Sequence, residues 1–245
     1  MDALVAYEKF HRQLSKLHPE IKAPKLLICG NGSIDDPDGS IVYDAALQLI
    51  TNKMSYLADM ICIMRLRPFD QILNMLLSQA HIVLQLSSQE GFEVKVFEAL
   101  HKGKPVIATR AGGIPLQLDH GRTGYLVDVG DTNTVAKYLL DLWTDDDLYR
   151  RMTRSAATSV SDEISTVGNA LNWLFLSCKL SEGEPIQPNQ EWIQDLARRN
   201  LGSRFNAEQP MLQRSIASSV WAAVRNLKSY LSLAESRTKG QRTIL

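Results

Sequence analysis

Apolar residues recur at helical spacing almost from the first position. Leu4, Tyr7, Phe10, Leu14 and Leu17 share one face of a helix. Beyond it, short and nearly continuous apolar runs alternate with amphipathic stretches. KLLICG (25–30) reads as a strand and is stopped by GNGSIDDPDG, which is rich in turn formers. SIVYDAALQLI then predicts a helix, ADMICIMRL a second strand, FDQILNMLLSQA a helix and HIVLQLSS a third strand. EVKVFEALHKG is a helix ended by Gly103, KPVIATR a fourth strand and GYLVDV a short fifth. Continuous apolar strands alternating with helices of about ten to fourteen residues define a parallel sheet covered on both faces, a doubly wound α/β unit.

From Asp131 to about Leu180 the pattern turns helical: DTNTVAKYLLDLW with Asp131 or Thr132 as N-cap, then DDDLYRRMTRSAATSV and ISTVGNALNWLFLSCKL. SEGEPIQPNQ has the composition of a linker, and one or two amphipathic helices with a loose basic tail follow it. Residues 1–180 are therefore expected to form the α/β domain, and 181–245 a linker and helical tail.

In a parallel unit, the loops leaving the carboxyl ends of the strands share one edge, and ligands bind there. The loops GNGSIDD, RLRPFD, SSQEGFE and TRAGGIP all fall on that edge. Composition narrows what such a ligand is. Lys plus Arg equal Asp plus Glu at 27 each, so no net field recruits nucleic acid or an anionic membrane, and recognition is local. Cys29, Cys62 and Cys178 are far apart and odd in number, and the first two sit inside apolar strand-like runs, which points to buried thiols in a reducing compartment. No apolar run approaches the roughly 18 residues of a membrane span, and MDALVAYEKF has neither a basic n-region nor a cleavage pattern. A cytoplasmic protein is expected.

Glu90 and Glu98 flank a Gly-Phe turn just after the third strand. Spacing alone proves little, since glutamates are common; Glu98 reads equally as a surface helix residue. Position favours Glu90, which precedes Gly91 and a helix start near Glu93. Glycine allows close backbone approach, and the free N–H groups of a first helical turn attract an anion such as a phosphate. A carboxylate beside an anion site is suited to gripping hydroxyls. TRAGGIP repeats the logic: Gly112 and Gly113 follow a strand end and Pro115 stands near the start of a helical turn. A ligand-free tight turn explains that stretch almost as well.

The segment EGFEVKVFEALHKGKPVIATRAGGIPLQLDHGRTGYLV (90–127) resembles the donor-site segment of retaining glycosyltransferases of the two-domain GT-B fold, the family 4 group. That group carries Glu, seven residues and Glu, then Gly-x-Pro-Val-Ile-Ala, a Gly-Gly turn and Gly-x-x-Gly-Tyr/Phe-Leu-Val. EGFEVKV, HKGKPVIATRAGGIPLQL, DDDLYRRM and VSDEISTVGNA are most similar to the branch of fungal trehalose phosphorylases and related trehalose synthases. The likeness spans residues 1 to about 200. It implies a Rossmann-like C-terminal domain of the GT-B fold that lacks its first strand, with the N-terminal acceptor domain and the Arg and Lys clamp on the donor phosphate also absent. On that reading the chain is the C-terminal part of a larger enzyme or the product of a truncated gene, and is inactive by itself.

The resemblance implies retaining glucosyl transfer between trehalose and phosphate, giving α-glucose 1-phosphate and glucose. Glu90 would be the catalytic anchor that holds donor hydroxyls, and Gly91, Phe92, Gly112 and Gly113 would cradle hydroxyls or phosphate through their N–H groups. Glu98 would hold a ribose in nucleotide-using relatives and has no assigned role in a phosphorylase. No cofactor or metal is implied, and a homo-oligomer is left open. Most of the group has Gly-Phe-Gly where this chain has Gly91-Phe92-Glu93, and a side chain there disfavours a nucleotide diphosphate. Three alternatives stand beside this reading: a nucleotide-sugar-dependent trehalose synthase, a non-catalytic sugar-phosphate-binding fragment and a degenerate remnant with an exposed apolar face.

Other residues have plain readings. Arg65, Arg67 and Arg110 suit a surface as well as a phosphate, His81 and His101 suit packing or capping, and Asp145 to Asp147 form a helix N-terminus rather than a metal cluster.

Overall fold

The computed structural model describes residues 1–30, 38–66, 69–160, 165–183, 193, 195–197, 199 and 243–244. Two compact units divide the chain, Met1–Val160 with Gln241–Leu245 and Ser161–Gly240.

In the first unit the elements run α1 (Asp2–Leu17), β1 (Lys25–Gly30), α2 (Asp38–Lys53), β2 (Ile61–Arg65), α3 (Asp70–Gln79), β3 (Val83–Gln85), α4 (Val94–His101), β4 (Val106–Thr109), β5 (Gly124–Val127), α5 (Thr132–Thr144) and α6 (Asp146–Ser159). Each follows the periodicity of its residues; β1 fills its apolar run, and β2 to β5 are shorter than theirs. Ser55–Met60 is a 3₁₀ turn that buries Leu57, so the second apolar run becomes a strand only at Ile61. In the second unit α7 (Thr166–Ser181) is capped by the Ser165 side chain, which accepts from the Gly168 N–H, and buries Phe175. The segments read as linker and helical tail lie almost wholly outside the described residues.

All described ladders are parallel, and helices flank them, as in a Rossmann-like α/β fold. The strands form two three-stranded sheets, β2-β1-β6 and β3-β4-β5, rather than one continuous sheet. Here β6 is the pair Thr243–Ile244, set in register with Lys25 and Leu26 of β1. No strand signal stood out at 243–244, because two residues are too few to show a period. Leu26 and Ile61 of one sheet share a hydrophobic core with Ile107 and Val127 of the other.

That core is closed by α1 and α5, whose Tyr7, Phe10, Leu14, Leu139, Leu142 and Trp143 are buried in it. Burial of each such side chain stabilises by about 1.5–3 kcal/mol. The Lys9 ammonium donates to Thr132 Oγ1 and Asn133 Oδ1, both at 2.7 Å, and the Trp143 indole donates to the Lys22 carbonyl at 3.1 Å. A second cluster, including Val96, Leu100, Val106, Ile114 and Leu126, lies under the loops that follow β3 and β4. It gives those loops a rigid floor, the usual support for a site built on loops. No described helix is long and apolar enough to cross a membrane.

Candidate functional site

β3 and β4 are neighbours in register, Gln85 beside Ala108, so the loops leaving their carboxyl ends meet. The Thr109 hydroxyl, buried at the end of β4, donates to the Ser87 carbonyl at 2.5 Å and so ties the first loop to the second strand. The Gly113 N–H donates to the Gly91 carbonyl at 2.6 Å. Gly112 has φ +52°, and a Cβ there would lie 1.7 Å from the Glu90 carbonyl oxygen. Two glycine turns that sequence could only place on one edge are thus pressed backbone to backbone. The Gln117 side-chain amide fastens the same loop from outside by donating to the carbonyls of Phe92 and Glu93.

Within this frame the structure brings Glu90 and Glu93 to a single donor. Gln85 Nε2 lies 3.2 Å from Glu90 Oε1, 3.1 Å from Glu93 Oε2 and 2.8 Å from Ser87 Oγ. Glu93 is the N-cap of α4, with φ +61° and ψ 81°, a left-handed conformation that normally favours glycine. Its carboxylate accepts from the Lys95 N–H at 3.2 Å and lies 3.4 Å from Lys95 Nζ. The side chain is 9% exposed. One of the free N–H groups expected at this helix start is therefore served by a carboxylate of the chain itself, which complements the positive end of the helix dipole.

Glu90 is half-buried, while Gly91, Phe92 and Gly112 are exposed along the same edge. Gly113 departs from its expected use: its N–H is given to Gly91, so it joins the loops instead of standing ready for a ligand. Glu98 is exposed on α4 and is not part of the Gln85 hydrogen-bond group. A narrow crevice beside the carboxyl ends of β3, β4 and β5 is lined by Asp2, Leu86, Thr109, Val127, Asp128 and Thr132 among others, which brings the start of α1 to this edge too. Burial raises the Cys29 thiol's pKa, with the Lys95 charge opposing it.

Against the expectation of buried thiols, only Cys29 is partly buried, and Cys62 and Cys178 are exposed. The other candidates take their plain roles. The Arg65 guanidinium sits 4.4 Å over the Tyr43 ring and donates to the Gly39 carbonyl, and Arg110 lies 3.8 Å from Asp128. Arg67 is outside the described residues. His81 stacks on Tyr149 and stands nearly perpendicular to the Trp143 ring, and His101 meets the Phe97 ring. Asp145 caps α6 by accepting from Asp147 and Leu148, and no cluster of metal-ligating side chains occurs among the described residues. Gln85, Thr109 and Gln117 were not singled out from sequence. The one available signal was a glutamine inside an otherwise apolar strand run, HIVLQLSS.

Parallel ladders and flanking helices define a Rossmann-like domain, and its paired glycine turns at the carboxyl edge make the candidate site over β3 and β4. The same architecture occurs in sucrose-phosphate synthase from Thermosynechococcus elongatus, at TM-score 0.59 and 21% identity, over 73% of this chain and 43% of that one. Residues 3–145, more than half of the sequence, match the family Glycosyl transferases group 1, and the chain belongs to that family. Among curated relatives, the trehalose phosphorylase of Grifola frondosa is 50% identical over 210 residues, 85% of this chain and 29% of that protein. The trehalose synthase of Thermococcus litoralis is 34% identical over 133 residues, 54% of this chain and 31% of that protein. The chain thus spans less than a third of the length of either of these relatives.

Proposed function

We propose that this chain is the donor-binding part of a cytoplasmic enzyme that transfers a glucosyl group with retention, splitting trehalose with phosphate into α-glucose 1-phosphate and glucose and running the reverse reaction. The observation that carries the choice of donor is the Glu93 carboxylate on the N-terminus of α4. A diphosphate approaching that helix would meet the Glu93 carboxylate, offset only in part by Lys95 Nζ at 3.4 Å, where bare backbone would otherwise attract it. A sugar phosphate held by its sugar end brings less charge to the same place.

In this reading Glu90 accepts hydrogen bonds from donor glucose hydroxyls and fixes the ring. Gly91, Phe92 and Gly112, exposed along the same edge, would offer their N–H groups to the donor, and the Gly113 contact keeps the two turns together. The bond from the anomeric carbon to the leaving glucosyl oxygen breaks as phosphate oxygen attacks from the same face, and the phosphate proton passes to the departing oxygen. Positive charge grows at the anomeric carbon and negative charge on the leaving oxygen, so fixed dipoles and a well-placed carboxylate supply the catalysis. No side-chain nucleophile is needed. Glu98, exposed on α4, would bind the donor through a ribose only where that donor is a nucleotide sugar.

A nucleotide-glucose donor is the second reading, favoured by the 34% identity to a trehalose synthase over 133 residues. Calorimetric titration of α-glucose 1-phosphate into the chain and its Glu90→Ala variant, with a nucleotide-glucose as competitor, decides between them. The expected outcome is binding of the sugar phosphate that is strongly, but still measurably, weakened in Glu90→Ala. Binding of the nucleotide sugar alone, or binding indifferent to Glu90, refutes the proposal.

A further inference from the structure

We infer that Gln85 is a positioning residue for Glu90, holding its carboxylate in the one orientation that accepts donor hydroxyls. This rests on the proposed role of Glu90 and deepens it. Gln85 is the last residue of β3, so the ladder to β4 sets its place, not the loop it serves. The Thr109 hydroxyl reaches the Gln85 carbonyl at 3.5 Å and the Ser87 carbonyl at 2.5 Å, which fixes the backbone on either side.

From that fixed origin one amide nitrogen reaches oxygens of two carboxylates, Glu90 Oε1 at 3.2 Å and Glu93 Oε2 at 3.1 Å. Those oxygens therefore lie no more than 6.3 Å apart, the sum of the two bonds. Two like charges this close repel unless donors stand between them. Lys95 Nζ, 3.4 Å from Glu93 Oε1, offsets one charge, and the amide serves the other. The amide NH₂ remains neutral and shares its two hydrogens among Ser87 Oγ, at 2.8 Å, and the two carboxylates between which it stands.

The residue type is tightly specified. Methionine of similar length would leave the carboxylates facing each other. Glutamate would replace the donor by a third acceptor. With Oε1 held, the Glu90 carboxylate has a defined direction for sugar hydroxyls, and small errors in such directions are costly.

The test uses the full chain with Gln85→Met, Gln85→Glu, Glu90→Ala and the double variant Gln85→Met/Glu90→Ala. Titrated with α-glucose 1-phosphate, both Gln85 variants are expected to bind at least about tenfold more weakly than the native chain, with the double variant no weaker than Glu90→Ala alone. Both Gln85 variants are expected to keep a cooperative thermal transition, lowered by the loss of the bridging amide, and Gln85→Met to remain folded at the titration temperature, which separates positioning from loss of the fold. Native affinity in a folded Gln85→Met chain, or losses that simply add, overturns the inference while leaving the function intact.

If the native chain binds no sugar phosphate, the function fails, and Gln85 is judged by the nuclear magnetic resonance of its side-chain amide. Those signals are expected to shift in both Glu90→Ala and Glu93→Ala; unchanged signals overturn the inference.

Discussion

Replacing Gly112 by alanine tests the contact on which the site is built. The new methyl group would lie 1.7 Å from the Glu90 carbonyl oxygen and 2.7 Å from that of Gly91, whereas a Cβ essentially never comes within 3.0 Å of such an atom. The loops must part by more than about 1.3 Å, the difference between the first distance and that limit. Separation on that scale breaks the 2.6 Å bond from the Gly113 N–H to the Gly91 carbonyl. Its loss contributes about 1 kcal/mol, and alanine held at φ +52° adds roughly 1–2 kcal/mol. The expected destabilisation is therefore about 2–3 kcal/mol, read by urea unfolding.

Binding should suffer more than stability, because Glu90 moves with the loop, and a displacement of about 1 Å can cost on the order of a hundredfold in a positioned site. Gly121→Ala is the control. Gly121 also has positive φ, +81°, but nothing within 4 Å of its Cβ position, so it reports backbone strain alone. If Gly112→Ala unfolds and binds α-glucose 1-phosphate as Gly121→Ala does, the two glycine turns are not in contact and the description of the site is wrong.

Glu93→Gly keeps a residue suited to φ +61° and removes the carboxylate from the helix N-terminus; nucleotide-glucose affinity should rise about tenfold or more by calorimetry, and no gain would remove the electrostatic case for a sugar phosphate. Tyr7→Phe deletes the buried hydroxyl that donates to the Pro24 carbonyl at 2.5 Å, and should cost about 1–3 kcal/mol in unfolding experiments. Burial also holds the Tyr7 phenol's pKa above its ordinary range, so the native chain should show no ionisation of that ring in a spectrophotometric titration until it unfolds in alkali. Hydrogen bonds from the Thr134 hydroxyl and N–H hold the Asp131 carboxyl below its ordinary value of 3.8. A depressed carboxyl stabilises above its unfolded value and loses that contribution as pH falls through the folded one. The melting-temperature gap between native chain and Asp131→Asn should accordingly be constant near neutral pH and close below about pH 4; a gap independent of pH would show that the charge is irrelevant.

Sequence by itself determined the order and kind of the elements, because burial on both faces of a parallel strand leaves a continuous apolar run and burial on one face of a helix leaves a 3.6-residue period. KLLICG coincides with β1, and the apolar positions of the first helix from Leu4 to Leu14 are the buried ones. It also put both glycine turns on the carboxyl edge, since that follows from strand direction alone. Local chemistry was equally legible at Asp131 and Asp145, which cap the helices they precede.

Only the tertiary structure decided what those turns do to each other and which side chains converge there. Gln85 and Glu93 stand eight positions apart and meet through a side chain whose reach depends on strand pairing. Thr109, at the end of β4, and Ser87, in the loop after β3, meet because the two strands are neighbours. The division into two ladders, with β6 on the free edge of β1, was likewise hidden, because hydrogen bonding across a sheet edge leaves no period in a two-residue strand. Periodicity records which face of an element is buried; partners distant in sequence are chosen by packing, and that choice leaves its mark only in three dimensions.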